Sequence, residues 1–491
     1  MIRSGGPEIP PDDFRRLGHQ LVDRIAAHME RMPSGPVKPD ETRQVLRRVL
    51  DADRGLPAQG ADADALLETA AYLLFDHSLF NGHPRFFGYI TSSPTPIGVL
   101  GDFLASAVNQ NCGSSTLAPI ATEIEVQTVQ WIAELIGFGL PRRSSEAAKG
   151  GGLLVSGGNM ANFVCLLAAR TAKAGSDIRK SGISGARLVM YASSETHTWV
   201  QKAADLFGFG TDAIRWVPVD DCQKLRTAEL RRRIESDRAT GDRPFLVVGT
   251  AGSVSTGAID PLHEIAAICR EHDLWFHVDG AYGAFAAAVP GAPDDLRGLS
   301  EADSVAVDPH KWLYAPVEAG CALVKRPEDL RNAFSYHPPY YRFGEETLNF
   351  VDYGPQNSRG FRALKVWLAL QQLGRTGYVE SMTEDIRLSR KLFDGVRAHG
   401  DFEALTHNLS ITTFRYVPRE LQSKAGEPET EATLNRLNEE LLGRLEKSGR
   451  AFLSNAVING KYAMRACIVN FRTSDADIDA LPDIIASLAR A

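Results

Sequence analysis

Lys311 stands in the run SVAVDPHKWLYAP, residues 304–316, just beyond four small or apolar residues and a proline. The apolar run reads as a buried strand and Pro309 as its terminator. Trp312 and Leu313 follow, so the lysine is expected to be partly buried, and lysine is seldom buried without a partner or a purpose. In water a lysine is almost wholly ammonium at pH 7, whereas partial burial favours the free amine, a nucleophile toward carbonyls. Three further stretches carry residues able to do chemistry. LLVSGGNMANF passes through Gly157 and Gly158 into a helix expected to begin near Asn159. Backbone N–H groups exposed at such a helix start suit a phosphate. The stretch is neither a Walker loop nor a GxGxxG fingerprint, and an ordinary strand-to-helix turn reads the same way. WFHVDGAYGAF puts Asp279 at the end of another apolar run, followed by small residues including Ala281. A flat ligand could meet that carboxylate, or the carboxylate could cap the next turn. YASSETHTWVQKAA puts His197 beyond a third run, where a single histidine is as readily structural as catalytic.

The elements that must position these groups lie between about residues 150 and 330. Seven short apolar runs recur there: 153–157, 187–192, 214–219, 244–251, 275–280, 304–309 and 321–326, with helical stretches between many of them. Such alternation predicts a mainly parallel sheet covered by helices, an α/β fold whose ligands sit beyond the carboxyl ends of the strands. All four signals fall at those ends. The flat, anionic, carbonyl-bearing ligand that uses a lysine, a carboxylate, an imidazole and a phosphate turn together is pyridoxal 5′-phosphate (PLP). Asp279 would pair with its pyridinium nitrogen and keep the ring an electron sink.

On either side the texture differs. Residues 11–32 space Phe14, Leu17, Leu21, Ile25 and Met29 as one apolar face of a helix, with Asp12 or Asp13 as N-cap. That face needs a surface to pack on. From about 375 helical patterns mix with short strands such as ITTFRYV, and PRELQSKAGEPETE reads as a polar connecting loop. The expected organisation is an N-terminal helical segment (1–85), a large α/β domain (86–374) and a small C-terminal α+β domain (375–491).

Composition narrows the function classes. The 491 residues are 44% apolar and 23% charged, with net charge -7 and no dense basic tract, so neither nucleic acid nor an anionic membrane is expected as a partner. The N-terminus has no apolar leader, and no apolar run of about 18 residues follows, which disfavours secretion and membrane insertion. Six cysteines without CxxC or zinc-ligand spacing are expected as small core residues in a reducing cytoplasm, with no metal site.

The combination HVDGAYG, with the lysine of DPHKW 32 positions after its aspartate, resembles the group II PLP-dependent amino-acid decarboxylases. These are the aromatic-L-amino-acid, histidine and glutamate decarboxylases. The likeness extends from FRRLGHQLVDRIAAHME through NGHPRFFGY and SGGNMANFVCLLAAR to SRGFRALKVW, most of the chain. It implies the aspartate-aminotransferase fold (fold type I), with a mainly parallel seven-stranded sheet. It also implies an obligate homodimer whose N-terminal helices wrap the partner. By position Lys311 is similar to the Schiff-base lysine, with His310 beside the cofactor phosphate and Asp308 next to it, where animal amine-forming members have Asn. Asp279 resembles the ring-nitrogen partner, Ala281 lies under the ring, and His197 resembles the histidine stacked over it near the substrate carboxylate. Gly157, Gly158 and Asn159 occupy the phosphate turn, where many relatives have Ser-Ala-Ser.

The resemblance also implies a lid in AFSYHPPYYRFGEE, residues 333–346, whose tyrosine helps protonate the carbon left when CO2 departs; aldehyde-synthase relatives carry Phe there. Counting from Lys311 places Tyr340 at that position, with Tyr341 adjacent and Tyr336 near; these rings could equally just pack the loop. The segment Asn109-Gln110-Asn111-Cys112-Gly113 is more like the glutamate and cysteine-sulfinate branch, whereas Ser358 resembles histidine decarboxylases. The substrate therefore stays open between an aromatic amino acid, histidine, an acidic amino acid and cysteine sulfinate. The leading expectation is CO2 release from an L-amino acid to give the amine. The rivals are an aldehyde synthase of the same family, an aminotransferase, and a protein that binds PLP without catalysis.

Overall fold

The structure, a computed structural model, describes residues 8–140, 151–337 and 348–490. Aliphatic runs with little helical periodicity form the central sheet. Its strands are β1 (Gly152–Val155), β2 (Leu188–Ser193), β3 (Ile214–Val217), β4 (Arg243–Thr250), β5 (Trp275–Asp279), β6 (Ser304–Val307) and β7 (Gly320–Val324). Each of the seven runs anticipated from the sequence becomes a strand. The spatial order is β1-β7-β6-β5-β4-β2-β3, and β7 alone runs antiparallel to its neighbours β1 and β6. The connection explains this exception. Between β6 and β7 lie only a helical turn, Pro309–Trp312, and a short return, too little chain for the crossover a parallel neighbour needs. That turn carries Lys311, so the lysine is pinned between two adjacent strands.

Buried side chains fill both faces of the sheet. On one face the helix Gly158–Ala174 lies close to the strands through small residues, Ala161, Cys165, Ala168 and Ala169. On the other, Ile132, Val247, Ile265, Phe276 and Val278 share one core.

A second, four-stranded sheet holds β8 (Phe402–Asn408), β9 (Ile411–Tyr416), β10 (Ser454–Ile458) and β11 (Lys461–Cys467). It is antiparallel throughout, in the order β10-β11-β9-β8. Its core joins Phe414 and Met464 to Leu392, Leu441 and Ile485 of the covering helices Ala363–Ala398, Pro428–Ser448 and Asp475–Arg490. The stretch expected as one polar loop is partly helical: it holds a short helix, Arg419–Gln422, and the start of the helix at Pro428. Pro428 at the first helical position, with Glu429 and Glu431 in the first turn, suits a helix N-terminus. The helix Ala363–Ala398 breaks at Gly374 (φ 66°) and links the two sheets. Before the break Lys365 and Leu368 meet Gly101 of the helix Pro96–Val108; after it Leu388 and Leu392 enter the core of the second sheet.

The first helix spans Pro11–Arg31, but neither Asp12 nor Asp13 caps it. Pro10 is the cap residue and Pro11 the first helical one, so the two aspartates fall inside the first turn and pair with Arg15 and Arg16. Proline's fixed φ starts the helix earlier than a side-chain cap would. Leu17 is buried, whereas Phe14 and Val22 are exposed. Leu66 and Leu74 of the helix Ala63–Asp76, and Leu100, Phe103, Leu104 and Val108 of the helix Pro96–Val108, are exposed as well. Five cysteines are buried and free, but Cys222 is exposed, a departure from the expectation that all six are core residues. It follows Asp220 and Asp221 in a polar turn, where its backbone N–H donates to the Asp220 carboxylate. Among the described residues no helix is long and apolar enough to cross a membrane, and no group of His, Cys, Asp and Glu is arranged to hold a metal ion.

Candidate active site

At the end of β1 the chain turns through Gly157, whose φ of +105° is a conformation that glycine alone adopts without strain. The helix then starts at Gly158, one residue earlier than the sequence suggested. A Cβ at Gly158 would sit 2.6 Å from an Asp308 carboxylate oxygen, so a side chain here would require the Asp308 side chain to move. Asn162, one turn into the helix, donates to the Gly158 carbonyl at 2.9 Å. Its amide oxygen lies 2.7 Å from His277 Nε2, and His277 Nδ1 lies 2.8 Å from Ser304 Oγ. Burial pushes the His277 imidazolium down to about 4, so the ring is neutral. With Asn162 accepting, the ring proton sits on Nε2 and Nδ1 accepts from the serine hydroxyl. A chain of neutral hydrogen bonds thereby ties the glycine turn to the sheet.

β5 delivers Asp279, 6% exposed, to the same end. Its Oδ2 accepts the indole N–H of Trp199 at 2.8 Å and its Oδ1 accepts the Ala281 backbone N–H at 3.2 Å. Beyond β2 comes His197, whose Nδ1 accepts the Trp199 backbone N–H at 3.2 Å. The proton of the neutral ring is therefore on Nε2, and burial holds its imidazolium below the usual histidine range. After β6 the carboxylate of Asp308, 2% exposed, lies 3.0 Å from Lys311 Nζ. The lysine side chain is 21% exposed, the partial burial that its flanking residues suggested. His310 Nδ1 meets the Ala319 carbonyl at 2.7 Å, and Ser92 donates to the His310 carbonyl at 2.9 Å.

Behind Lys311 a buried acid fixes the turn. Asp385 Oδ2 accepts from Trp312 Nε1 (2.8 Å) and from the Tyr314 hydroxyl (2.7 Å). Burial pushes the Asp385 carboxyl up to about 7. Trp312 also stacks on Tyr282, centroids 4.9 Å apart, which couples the lysine turn to the loop after Asp279.

Gly157, Gly158, Asn159, His197, Asp279, Ala281, Asp308, His310 and Lys311 line one cavity of about 410 Å3, a size that suits a small ligand. Tyr340 and Tyr341 lie outside the described residues. Tyr336 is exposed, with the Arg179 guanidinium 4.2 Å over its ring. Asn162, Trp199, His277 and Asp385 carry no signal in the sequence that marks them; the partners of their side-chain hydrogen bonds are 4 to 115 residues away. The donor set fits PLP. A glycine turn offers helix-start N–H groups to a phosphate, a buried carboxylate faces the cavity for a ring nitrogen, and an amine is at hand for an aldehyde. Asp308 Oδ1 is buried with no hydrogen-bond partner among the described residues.

The segment 109–113 is held from inside the chain. Asn111 Oδ1 accepts N–H groups from Gly113 (3.1 Å) and Arg359 (3.0 Å). The Arg359 guanidinium is buried against Glu125 and also donates to the Cys112 and Leu154 carbonyls. The Asn111 amide oxygen is thus an internal clamp, committed to backbone donors of its own chain.

A family pattern described as the pyridoxal-dependent decarboxylase conserved domain matches residues 46–417. Over 472 residues, 95% of this chain and 93% of the relative, the sequence is 33% identical to an aromatic-L-amino-acid decarboxylase of Bacillus atrophaeus. It is 29% identical to a phenylacetaldehyde synthase of Petunia hybrida, over 94% of this chain and 91% of that one. The crystal structure of Oryza sativa TDC with PLP and tryptamine superposes with a TM-score of 0.88 at 27% identity, covering 99% of each chain.

Proposed function

This chain belongs to the pyridoxal-dependent decarboxylase family, as its motifs implied, and from that premise we propose which of its residues act and on what. It is a PLP-dependent carboxy-lyase of fold type I that releases CO2 from an amino acid. The cofactor, when bound, supplies an aldehyde for amines and a protonated ring that takes up the electron pair left by the departing carboxylate.

The observation that carries the assignment is the convergence of Lys311, Asp279 and the Gly157–Gly158–Asn159 turn on one cavity. Lys311 provides the amine that holds the cofactor. Asp279, accepting at both oxygens from its own chain, keeps a fixed acceptor edge toward the ring nitrogen. The glycine turn, Asn159 and His310 hold the phosphate end, and Asp308, 3.0 Å from Lys311 Nζ, positions the lysine side chain. Ala281 leaves room beneath a flat ring. His197, with its proton on Nε2, lies over the ring and donates to the substrate carboxylate, orienting the bond to be broken. Tyr340 is assigned the return of a proton to the carbon that has lost CO2. Tyr rather than Phe at this position favours the amine as product; the aldehyde, suggested by the Petunia relative, is the second reading.

For the substrate class, the aromatic-L-amino-acid decarboxylase and the tryptamine-bound structure named above support an aromatic L-amino acid. That departs from the glutamate and cysteine-sulfinate branch, which the segment 109–113 is more like. The exposed apolar faces of the N-terminal helices support a homodimer, and free thiols, one of them exposed, suit the cytoplasm. The test is CO2 release from a panel of aromatic amino acids, histidine, glutamate, aspartate and cysteine sulfinate. An aromatic substrate should show the highest kcat/KM. A higher value for an acidic substrate would overturn the substrate class, and no CO2 from any of them would overturn the assignment of the site.

A further inference from the structure

Trp199 is fully buried beside the cavity, and both of its N–H groups go to residues of the site. The indole Nε1–H donates to Asp279 Oδ2 at 2.8 Å, and the backbone N–H donates to His197 Nδ1 at 3.2 Å. Its ring stands edge-on to neutral His277, centroids 5.8 Å apart and planes at 90°. A core tryptophan commonly sends its indole N–H to a backbone carbonyl, a hydroxyl or water, as Trp275 does to Ser304, and Trp312 sends its own to the buried Asp385, away from the cavity. A donation from the interior to a carboxylate that faces a ligand cavity is different in kind, because the carboxylate is then held from behind and cannot rotate.

We propose that Trp199 is a positioning residue that aims Asp279 at the cofactor ring nitrogen and, through the same short segment, fixes the ring of His197. This rests on the reading of Asp279 as the ring-nitrogen partner. Trp199 borders the cavity, but the role assigned to it runs through Asp279 and His197 and not through the reacting atoms. It acts by donation alone, since an indole N–H has no acceptor capacity, so both Asp279 oxygens keep their remaining lone pairs for the ligand side. A purely structural role, filling space between the helix Trp199–Leu206 and the sheet, predicts the same burial but no selectivity for the ring nitrogen.

The experiment compares dissociation constants of the full-length protein for PLP and for its carbocyclic analogue, in which CH replaces the ring nitrogen. Wild type should prefer PLP. Trp199→Phe should weaken PLP by about tenfold, the worth of one hydrogen bond to a charged group, and the analogue by no more than about twofold. A second protein carries benzothienylalanine in place of Trp199, which keeps the ring shape and removes only the N–H. It should behave as the Phe variant does, and it decides the question if the Phe variant lacks a cooperative melting transition. Equal weakening of both ligands, or no weakening of PLP, overturns the role of Trp199. If wild type binds the analogue as tightly as PLP, the reading of Asp279 itself fails, a result distinct from the other two.

Discussion

Lys311 and Asp279 are recognisable in the sequence because each ends an apolar run, and strand ends are where α/β sheets place ligands. The groups that hold them are not. Trp199 reaches Asp279 across 80 residues and Asn162 reaches His277 across 115, and no local pattern encodes such pairings. At this scale Tyr340, proposed as the proton donor, offers the sharpest prediction. Tyr340→Phe removes one hydroxyl from the group assigned to return the proton, so amine formation should fall by roughly 10²-fold or more while aldehyde, ammonia and peroxide appear under air. Product analysis of both proteins decides it. Undiminished amine output would move the role to Tyr341 or remove it from the loop.

Seven apolar runs form seven strands, yet their order and the reversal of β7 are not legible in the sequence. Register depends on connection length and on which helix covers which face, and periodicity reports neither. The first helix starts ahead of its aspartates because two prolines, not a carboxylate cap, set its N-terminus. We propose that the division between large and small domains falls at the Gly374 break. The second half of that helix reaches back to the site through Asp385, whose carboxyl is pushed up to about 7 by burial. The folded protein therefore holds a proton there that the unfolded chain releases near pH 4. Stability contributed by this group is greatest below that range and falls as pH rises toward 7, at up to about 1.4 kcal/mol per pH unit, then stays level. Asp385→Asn should flatten that part of the pH dependence of Tm. Parallel profiles for the two proteins between pH 4 and 7 would contradict it.

Over the whole molecule, the N-terminal helices leave Phe14, Leu66, Leu74, Phe103 and Leu104 in water, more apolar surface on neighbouring elements than a lone chain gains from exposing. A twofold partner that covers them would make the site and the assembly interdependent. The active species should sediment as a dimer at all concentrations that retain activity, and a fully active monomer would rule this out. Changing both Phe14 and Phe103, whose rings stack 6.4 Å apart, to Asp should shift the protein toward monomer and weaken activity in parallel.

In the proposed assignment one side chain, Lys311, joins the fold to the chemistry. Borohydride reduction of the PLP-loaded protein, followed by proteolysis and mass spectrometry, reads it out directly. The cofactor mass should be found on the peptide containing Lys311 and on no other, and Lys311→Ala should carry no reducible cofactor. A reduced adduct on a different lysine, or one that survives in Lys311→Ala, would contradict the assignment.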